Sequence, residues 1–405
     1  MSPVAITGMG CISALGTGVG ESWNAVQRGR PAIKRLSGFE ETDLKVQVAA
    51  QATQYCPEEH FQPTQLGLLD RHSQFALIAA REAISDAGLS EEELSTFAAL
   101  IGTGCGGKET DELTYQQLYK EQKRRVHPFT IPRGMPSAAA SQVSMEFGIR
   151  GPSFTLASAC ASANHAIAQA VLMIRAGLVD AAIAGGTDAP FTYGLLKSWE
   201  ALRVLSPDTC RPFSRDRKGL VLGEGAGMVV LESLEHARKR NARIHAVITG
   251  IGMTADAAHI TDPSSEGAAR AMSAALKDAG KSPDDVEYIN AHGTGTLQND
   301  PTETQAIHSV FGNRAKQLLV SSTKSMHGHA LGAAGALELI ITACSLQEGI
   351  IPPTANFTEP AEGCDLDYVP NTAIELQYTC ALTNSFAFGG LNAVLLIEKP
   401  TTRAF

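Results

Sequence analysis

Short apolar runs bounded by glycine alternate along this chain with longer stretches whose apolar residues recur every three to four positions. Val4 to Thr7, Ala98 to Gly102, Ala181 to Ala184 and Met228 to Glu232 are continuous apolar runs and predict buried strands. Gln74 to Ala87, Ala161 to Ala176 and Glu266 to Ala279 carry the helical spacing and predict helices. Such alternation predicts an α/β protein, a sheet covered by helices on both faces. The stretch from Lys108 to Pro136 breaks the pattern. It is polar, basic and punctuated by proline, which predicts an elaboration lying over the surface or over a partner subunit.

The pattern is written twice. Ile6-Thr7-Gly8-Met9-Gly10 returns as Ile248-Thr249-Gly250-Ile251-Gly252, and Asp86-Ala87-Gly88 returns as Asp278-Ala279-Gly280 after an Ala-rich helical stretch. Gly102-Thr103-Gly104 returns as Gly293-Thr294-Gly295, and each half closes on a Gly-rich turn feeding a strand, Gly223 to Glu232 and Phe388 to Glu398. Four echoes in one order predict duplicated domains, residues 1–243 and 244–405, joined near Lys239 to His245.

Composition narrows the class. The 405 residues, 44% hydrophobic and 19% charged, suit a soluble globular enzyme with one large core or two fused ones. The most apolar run, Ala330 to Leu346, is as rich in Ala and Gly as in Leu and Ile, and Glu338 interrupts it, so no membrane span is expected. Met1 to Gly10 has no basic leader region. Eight cysteines lie far apart with no CxxC pair, which argues against a zinc site or disulfide framework and for reduced thiols in a cytoplasmic compartment. A net charge of −9 disfavours nucleic acid and leaves room for a local basic patch facing an acidic partner.

One cysteine has a reactive setting. Gly151 to His165 places a strand before Cys160 and a small-residue helix after it, so the thiol is expected at a helix start, where the dipole and free N–H groups favour thiolate. Ala159, Ala161, Ser162 and Ala163 leave room for a substrate. The plainer alternative is an ordinary buried cysteine. The segment from Gly151 to Ile167 resembles the active-site signature of the β-ketoacyl synthases throughout. The resemblance runs along essentially the whole chain, towards the elongating type II (FabF-like) enzymes of fatty acid synthesis. It implies the thiolase-like fold, a duplicated α-β-α-β-α architecture, a homodimer, and substrates carried on the phosphopantetheine of acyl carrier protein, with no other cofactor and no metal.

Two more motifs, Asn290-Ala-His292-Gly-Thr294-Gly-Thr296 and Lys324-Ser-Met-His327-Gly-His329, follow strand-like runs and set histidines in Gly-rich loops at strand ends. Loss of carbon dioxide from a malonyl thioester leaves an enolate whose oxygen needs hydrogen-bond donors, and two neutral imidazoles supply them. The resemblance makes His292 and His329 the catalytic pair with Cys160, and Lys324 the accompanying lysine. Glu338, within an apolar helix, needs a cation, and Lys324 is expected to pair with it and hold the His329 loop. Asp300 and Glu303 match acidic positions expected to join that network, and Thr294 and Thr296 match threonines that bind the pantetheine arm. Phe388, in Asn384 to Gly390, corresponds to the residue whose N–H completes the oxyanion hole with that of Cys160 and whose ring gates the acyl pocket.

Departures from the common pattern are concentrated around the pocket. His327 stands where a small residue is usual, Leu391 replaces Thr or His, and Ala387 replaces a Gly beside the gate, which predicts a stiffer gate. Cys105, Thr130 and Trp199 occupy acyl-pocket positions more often Ile or Met, Phe, and Phe. Residues 64–69 lack the usual basic cluster, with Arg71 the nearest positive charge, so Lys123, Arg124, Arg125 and Arg203 are the candidate carrier-docking patch. A non-catalytic chain-length subunit would lack Cys160. A thiolase would carry a second cysteine in a Gly-rich turn near the end, where Cys364 and Cys380 do not qualify. The expected reaction is a decarboxylating Claisen condensation in fatty acid elongation. A specialised polyketide, polyene or signalling-lipid pathway stays open.

Overall fold

The computed structural model describes residues 2–400. Ten strands form the main sheet path: β1 (Val4–Ser13), β2 (Ala98–Gly102), β3 (Ser153–Leu156), β4 (Ala181–Asp188), β5 (Gly225–Ser233), β6 (Ala246–Ala255), β7 (Tyr288–Asn290), β8 (Leu319–Ser321), β9 (Cys380–Ala387) and β10 (Leu391–Glu398). Their order is β8-β7-β9-β10-β6-β1-β5-β4-β2-β3. Cut between β6 and β1, this is one five-strand pattern used twice. In each half the third strand pairs parallel with the second and the second parallel with the fourth. The fifth then runs antiparallel to both the fourth and the first. A three-residue antiparallel contact, Val4 to Ile6 against Ala246 to Ile248, joins the halves.

Helices complete five layers. α1 (Arg71–Ala87) and α2 (Ala138–Glu146) cover the outer face of the first half. α4 (Ser265–Ala279) and α5 (Asn299–Phe311) cover the outer face of the second. α3 (Ser162–Arg175) and α6 (Ala334–Glu348) lie between the half-sheets. The central position of α6 explains its composition: every residue from Ala334 to Leu346 is buried, so no face is polar. Among the described residues no helix is long and apolar enough to cross a membrane.

The echoed motifs are the contacts that hold a helix against its strand. A side chain at Gly8 or Gly10 would strike carbonyls of α1, and one at Gly250 or Gly252 would strike carbonyls of α4. Asp86 accepts the Met9 N–H at 3.0 Å and Asp278 the Ile251 N–H at 2.9 Å, each at a strand residue beside those glycines. Gly88 and Gly280 end the two helices in the left-handed conformation. The strands run longer than their apolar cores predict, β1 to Ser13 and β4 to Asp188. The helix expected from Ala330 starts at Ala334, after a 3₁₀ turn at Leu331–Ala333. The 108–136 segment folds into short helices, Lys108–Tyr115 and Thr130–Gly134, on the surface.

Candidate active site

The nucleophile candidate sits on a strained turn. After β3 the chain passes through Ala159 with φ 48°, makes a 3₁₀ turn through Cys160, and enters α3. An alanine in this region costs of the order of 1 kcal/mol, a strain held here by local bonds. Ser162 Oγ donates to the Ala159 carbonyl (2.7 Å) and accepts the Ser158 N–H (2.9 Å). The turn aims the thiol into the molecule rather than at open solvent, and Cys160 is buried.

That burial corrects the expectation of a ready thiolate. Burial pushes the Cys160 thiol up to about 12; Lys324 and the backbone N–H groups of Phe388 and Cys160 pull it down, and Asp188 adds to the rise. The resting sulfur therefore carries its proton and needs an acceptor. His329 Nε2 lies 3.0 Å away. The backbone of His329 is clamped to the first half, its N–H donating to Val221 (2.7 Å) and its carbonyl accepting from Gly223 (2.9 Å).

His292 reaches the same point from β7. Glu303, in the first turns of α5, accepts the N–H groups of His292 (2.9 Å) and Gly293 (2.8 Å) and the amide of Asn384 (3.1 Å). The His292 and His329 rings meet edge to face, centroids 5.4 Å apart. One ligand atom from each of Cys160, His292 and His329 lies within 4.8 Å of the others, the spacing of a metal site. Yet the Nδ1 atoms of both histidines lack the hydrogen-bond partner that orients metal-ligating imidazoles. Burial, Lys324 and a neighbouring histidine (His329 beside His292, His327 beside His329) hold both imidazoles well below the usual histidine range, so both are neutral.

Lys324 and Glu338 form a fully buried ion pair. Burial raises the Glu338 carboxyl to about 7 against the pull of Lys324. Neither Asp300 nor Glu303 hydrogen-bonds to this pair, although Glu303 lies near enough to feel the Lys324 charge and to raise the Glu338 carboxyl. Both serve the His292 loop, because α5 begins directly beneath it. Asp300 accepts the N–H groups of Phe213 (2.7 Å) and Gly295 (3.1 Å). The free oxygens of Asn290, Glu338, Thr383, Asn384 and Ser385 are buried without partners among the described residues, and buried oxygens of this kind suit ordered water.

A cavity of about 490 Å³ leads from the three side chains outwards past Thr294, Thr296, Trp199 and Phe388. Thr294 and Thr296 hydroxyls lie 3.0 Å apart. The Phe388 ring stacks on Trp199 at 6.1 Å and 27°. Ala387 lies in extended β9, where alanine costs nothing, and the positive φ values of the turn fall on Gly389 (81°) and Gly390 (69°), so the predicted stiffening has no backbone basis. Two expected pocket residues lie outside the cavity's lining within one chain. Thr130 sits in the surface segment, its hydroxyl donating to the His127 carbonyl, and Cys105 packs one layer behind the wall, in a cluster with Leu196, Leu220 and Trp199, the last two of which line the cavity.

The basic residues divide as well. Arg203 stands exposed between Leu202 and Val204, which line the cavity. Lys123, Arg124 and Arg125 are exposed on the 108–136 segment, Lys123 paired with Glu121, and none lines the cavity. Arg71 is occupied by Glu224 in a two-point pair. One residue escaped the sequence reading altogether: Asp188, fully buried beside both turns. Its signal was an acidic residue closing an apolar strand, where a carboxylate needs a compelling set of donors.

With this geometry in place, relatives decide the family. The models for the β-ketoacyl synthase N-terminal and C-terminal domains match residues 1–237 and 245–358. The chain belongs to the β-ketoacyl synthase family. Nodulation protein E of Rhizobium sp. (strain N33) is 52% identical over 398 residues, 98% of this chain and 99% of that protein. The 3-oxoacyl-[acyl-carrier-protein] synthase 2 of Staphylococcus aureus (strain COL) is 43% identical over 405 residues, 98% of each. Among solved structures, the ishigamide ketosynthase/chain length factor superposes with a TM-score of 0.94 at 37% identity, over 99% of this chain and 100% of that one. AntDE:AntF, a type II PKS acyl-carrier protein in complex with its ketosynthase, superposes at 0.90 and 32%, over 99% and 100%. This β-ketoacyl synthase is an acyl-transferring condensing enzyme of the FabF type, with the thiolase-like fold.

Proposed function

We propose that this synthase takes an acyl group from acyl carrier protein onto Cys160 and condenses it with a malonyl group on a second carrier, releasing carbon dioxide and 3-oxoacyl carrier protein. The observation that carries this reading is the 3.0 Å approach of Cys160 Sγ to His329 Nε2, with His292 beside them at the base of one cavity. In the first half-reaction the sulfur forms the thioester, the pantetheine thiolate leaves, and the thiol proton passes across His329 to it. In the second, decarboxylation leaves an enolate whose oxygen is held by the two neutral imidazoles. Its carbon attacks the acyl thioester, the N–H groups of Cys160 and Phe388 hold the tetrahedral oxygen, and collapse expels Cys160 as a thiolate, which regains its proton from solvent by way of His329.

Burial, with the charge of Lys324 behind it, keeps both rings neutral, and Thr294 and Thr296 line the path the pantetheine arm would follow. Arg203 at the cavity rim is the carrier-facing cation, joined in a dimer by Lys123 to Arg125. The 108–136 segment and edge strand β3 expose Leu113, Tyr115, Tyr119, Phe129, Ile131 and Phe154, an apolar surface a second copy of the chain would cover. A partner copy would also be the route by which Thr130 reaches an acyl pocket. Between pathways we favour specialised chain synthesis over housekeeping elongation. The 52% identity to a nodulation protein exceeds the 43% to the S. aureus synthase, and Trp199 lines the cavity with its ring stacked on Phe388.

The test offers carrier proteins loaded with acyl chains of graded length, plus malonyl carrier, and reads product mass. Condensation restricted to a narrow or unusual set of chains supports the specialised reading. Uniform use of saturated chains of all lengths supports housekeeping elongation, and no condensation with any chain removes the proposal.

A further inference from the structure

The nucleophile's turn occurs twice. Leu331–Ala333, ahead of α6, repeats Ala159–Ala161, ahead of α3, with the same left-handed residue (φ 48° at Leu331 as at Ala159). Where the first turn carries Cys160, the second carries Gly332, and its N–H is occupied: it donates to Asp188 Oδ2 at 2.6 Å. The same oxygen accepts the Gly104 N–H (2.8 Å), and Oδ1 accepts the Cys105 N–H (2.9 Å) and the Thr103 hydroxyl (2.7 Å). Asp188 is wholly buried, with three backbone N–H groups and a hydroxyl in place of a cation. A carboxylate held this way fills what is, in form, an anion pocket.

The bonds continue in both directions. Thr103 accepts from Ser162 Oγ at its carbonyl (3.2 Å), and Ser162 also bonds the Ala159 carbonyl, so three hydrogen bonds lead from Asp188 to the Cys160 turn. On the other side Gly332 is three residues beyond His329. We propose that Asp188 is a positioning residue of the condensing site: by plugging the second turn it locks the loop after β2 to the start of α6 and so sets the spacing of Cys160 and His329. This rests on the reading of Cys160 as acyl acceptor.

Asp188→Asn keeps the shape, removes the charge and turns one acceptor into a donor facing N–H groups. Alkylation of Cys160 by iodoacetamide is followed against pH, alongside the two half-reactions. The charged and titratable groups around the sulfur are Lys324 and Asp188, the neutral His292 and His329 and, more weakly, Cys105. Only Asp188 changes, and its charge raises the thiol, so the alkylation midpoint should fall by about one pH unit. Acyl transfer should slow on the order of tenfold to a hundredfold at unchanged KM, and malonyl decarboxylation, which does not use the sulfur, much less. An unmoved midpoint, or equal losses in both half-reactions, overturns the proposal. Should that variant not fold, Thr103→Val removes one donor and leaves the charge. It should slow acyl transfer severalfold with the midpoint in place, and wild-type acyl transfer then overturns the proposal. Wild-type protein whose Cys160 resists both alkylation and acylation counts against the acyl-acceptor reading instead.

Discussion

The two halves share a strand order, a helix arrangement and a strained turn, yet only one turn carries a nucleophile. In the first half, β3 leads within a few residues to Cys160. In the second, nine residues lie between β8 and the matching turn, 322–330, and they carry Lys324, His327 and His329. The strand-end loops differ likewise: after β2 comes Thr103, which serves Asp188, and after β7 comes His292, which faces the cavity. The duplicated scaffold supplies rigid positions, and short divergences between copies supply the chemistry. Neither half holds the site alone, since the His329 backbone is fixed by residues 221–223 of the first half.

The sharpest way to break the comparison is to exchange what differs. Cys160→Ala should lower condensation at least about a thousandfold while thermal stability stays near wild type, because a small residue fits that turn. At the second turn Gly332→Ala should instead destabilise by about 3 kcal/mol, since a methyl group there meets the Gly104 backbone and Asp188. Thermal melts and a steady-state assay separate the two, and a well-folded Gly332→Ala protein would show that the second turn is less constrained than the first.

Lys324→Ala leaves Glu338 buried without a cation and should cost about 3–5 kcal/mol by denaturant unfolding. Lys324→Met with Glu338→Leu should recover most of it. If the single variant is as stable as wild type, the pair does not hold the site together.

The two histidines sharpen the comparison within the second half. His329→Ala should slow both half-reactions, on the order of a hundredfold for decarboxylation, whereas His292→Ala should slow decarboxylation to a similar extent and leave Cys160 acylation nearly intact. Equal losses in acylation would remove the special role of His329.

A smaller effect tests burial. Burial and Lys324 hold His327 at about 3. Between the ordinary histidine range and that value the unfolded chain binds a proton that the fold does not, so stability contributed by neutral His327 is lost as pH falls. Replacing it with Gln should flatten the decline below about pH 6.5 by up to ~1.4 kcal/mol per pH unit. An unchanged slope would place His327 in contact with water.

Much of this was legible in the chain because duplication and close packing leave glycines and acids at fixed spacings. The Ile-Thr-Gly-x-Gly echo marks helix-on-strand contact, and Glu338 in an apolar helix announced Lys324. What was not legible depends on folding brought about by distant residues. The raised Cys160 thiol follows from burial among residues that include Ala387 and Ala393, far along the chain. That Glu303 and Asp300 also hold the His292 loop shows only once α5 is seen to begin beneath it. Asp188 accepts from Gly332, 144 positions later, a bond no local pattern signals.

The most direct measurement is a peptide map of the enzyme after brief exposure to acyl carrier protein alone. The thioester should be found on the peptide bearing Cys160 and vanish when malonyl carrier is added. An acyl group on Cys11 or Cys105 instead, or turnover with no acylated protein at any time, would contradict the central claim.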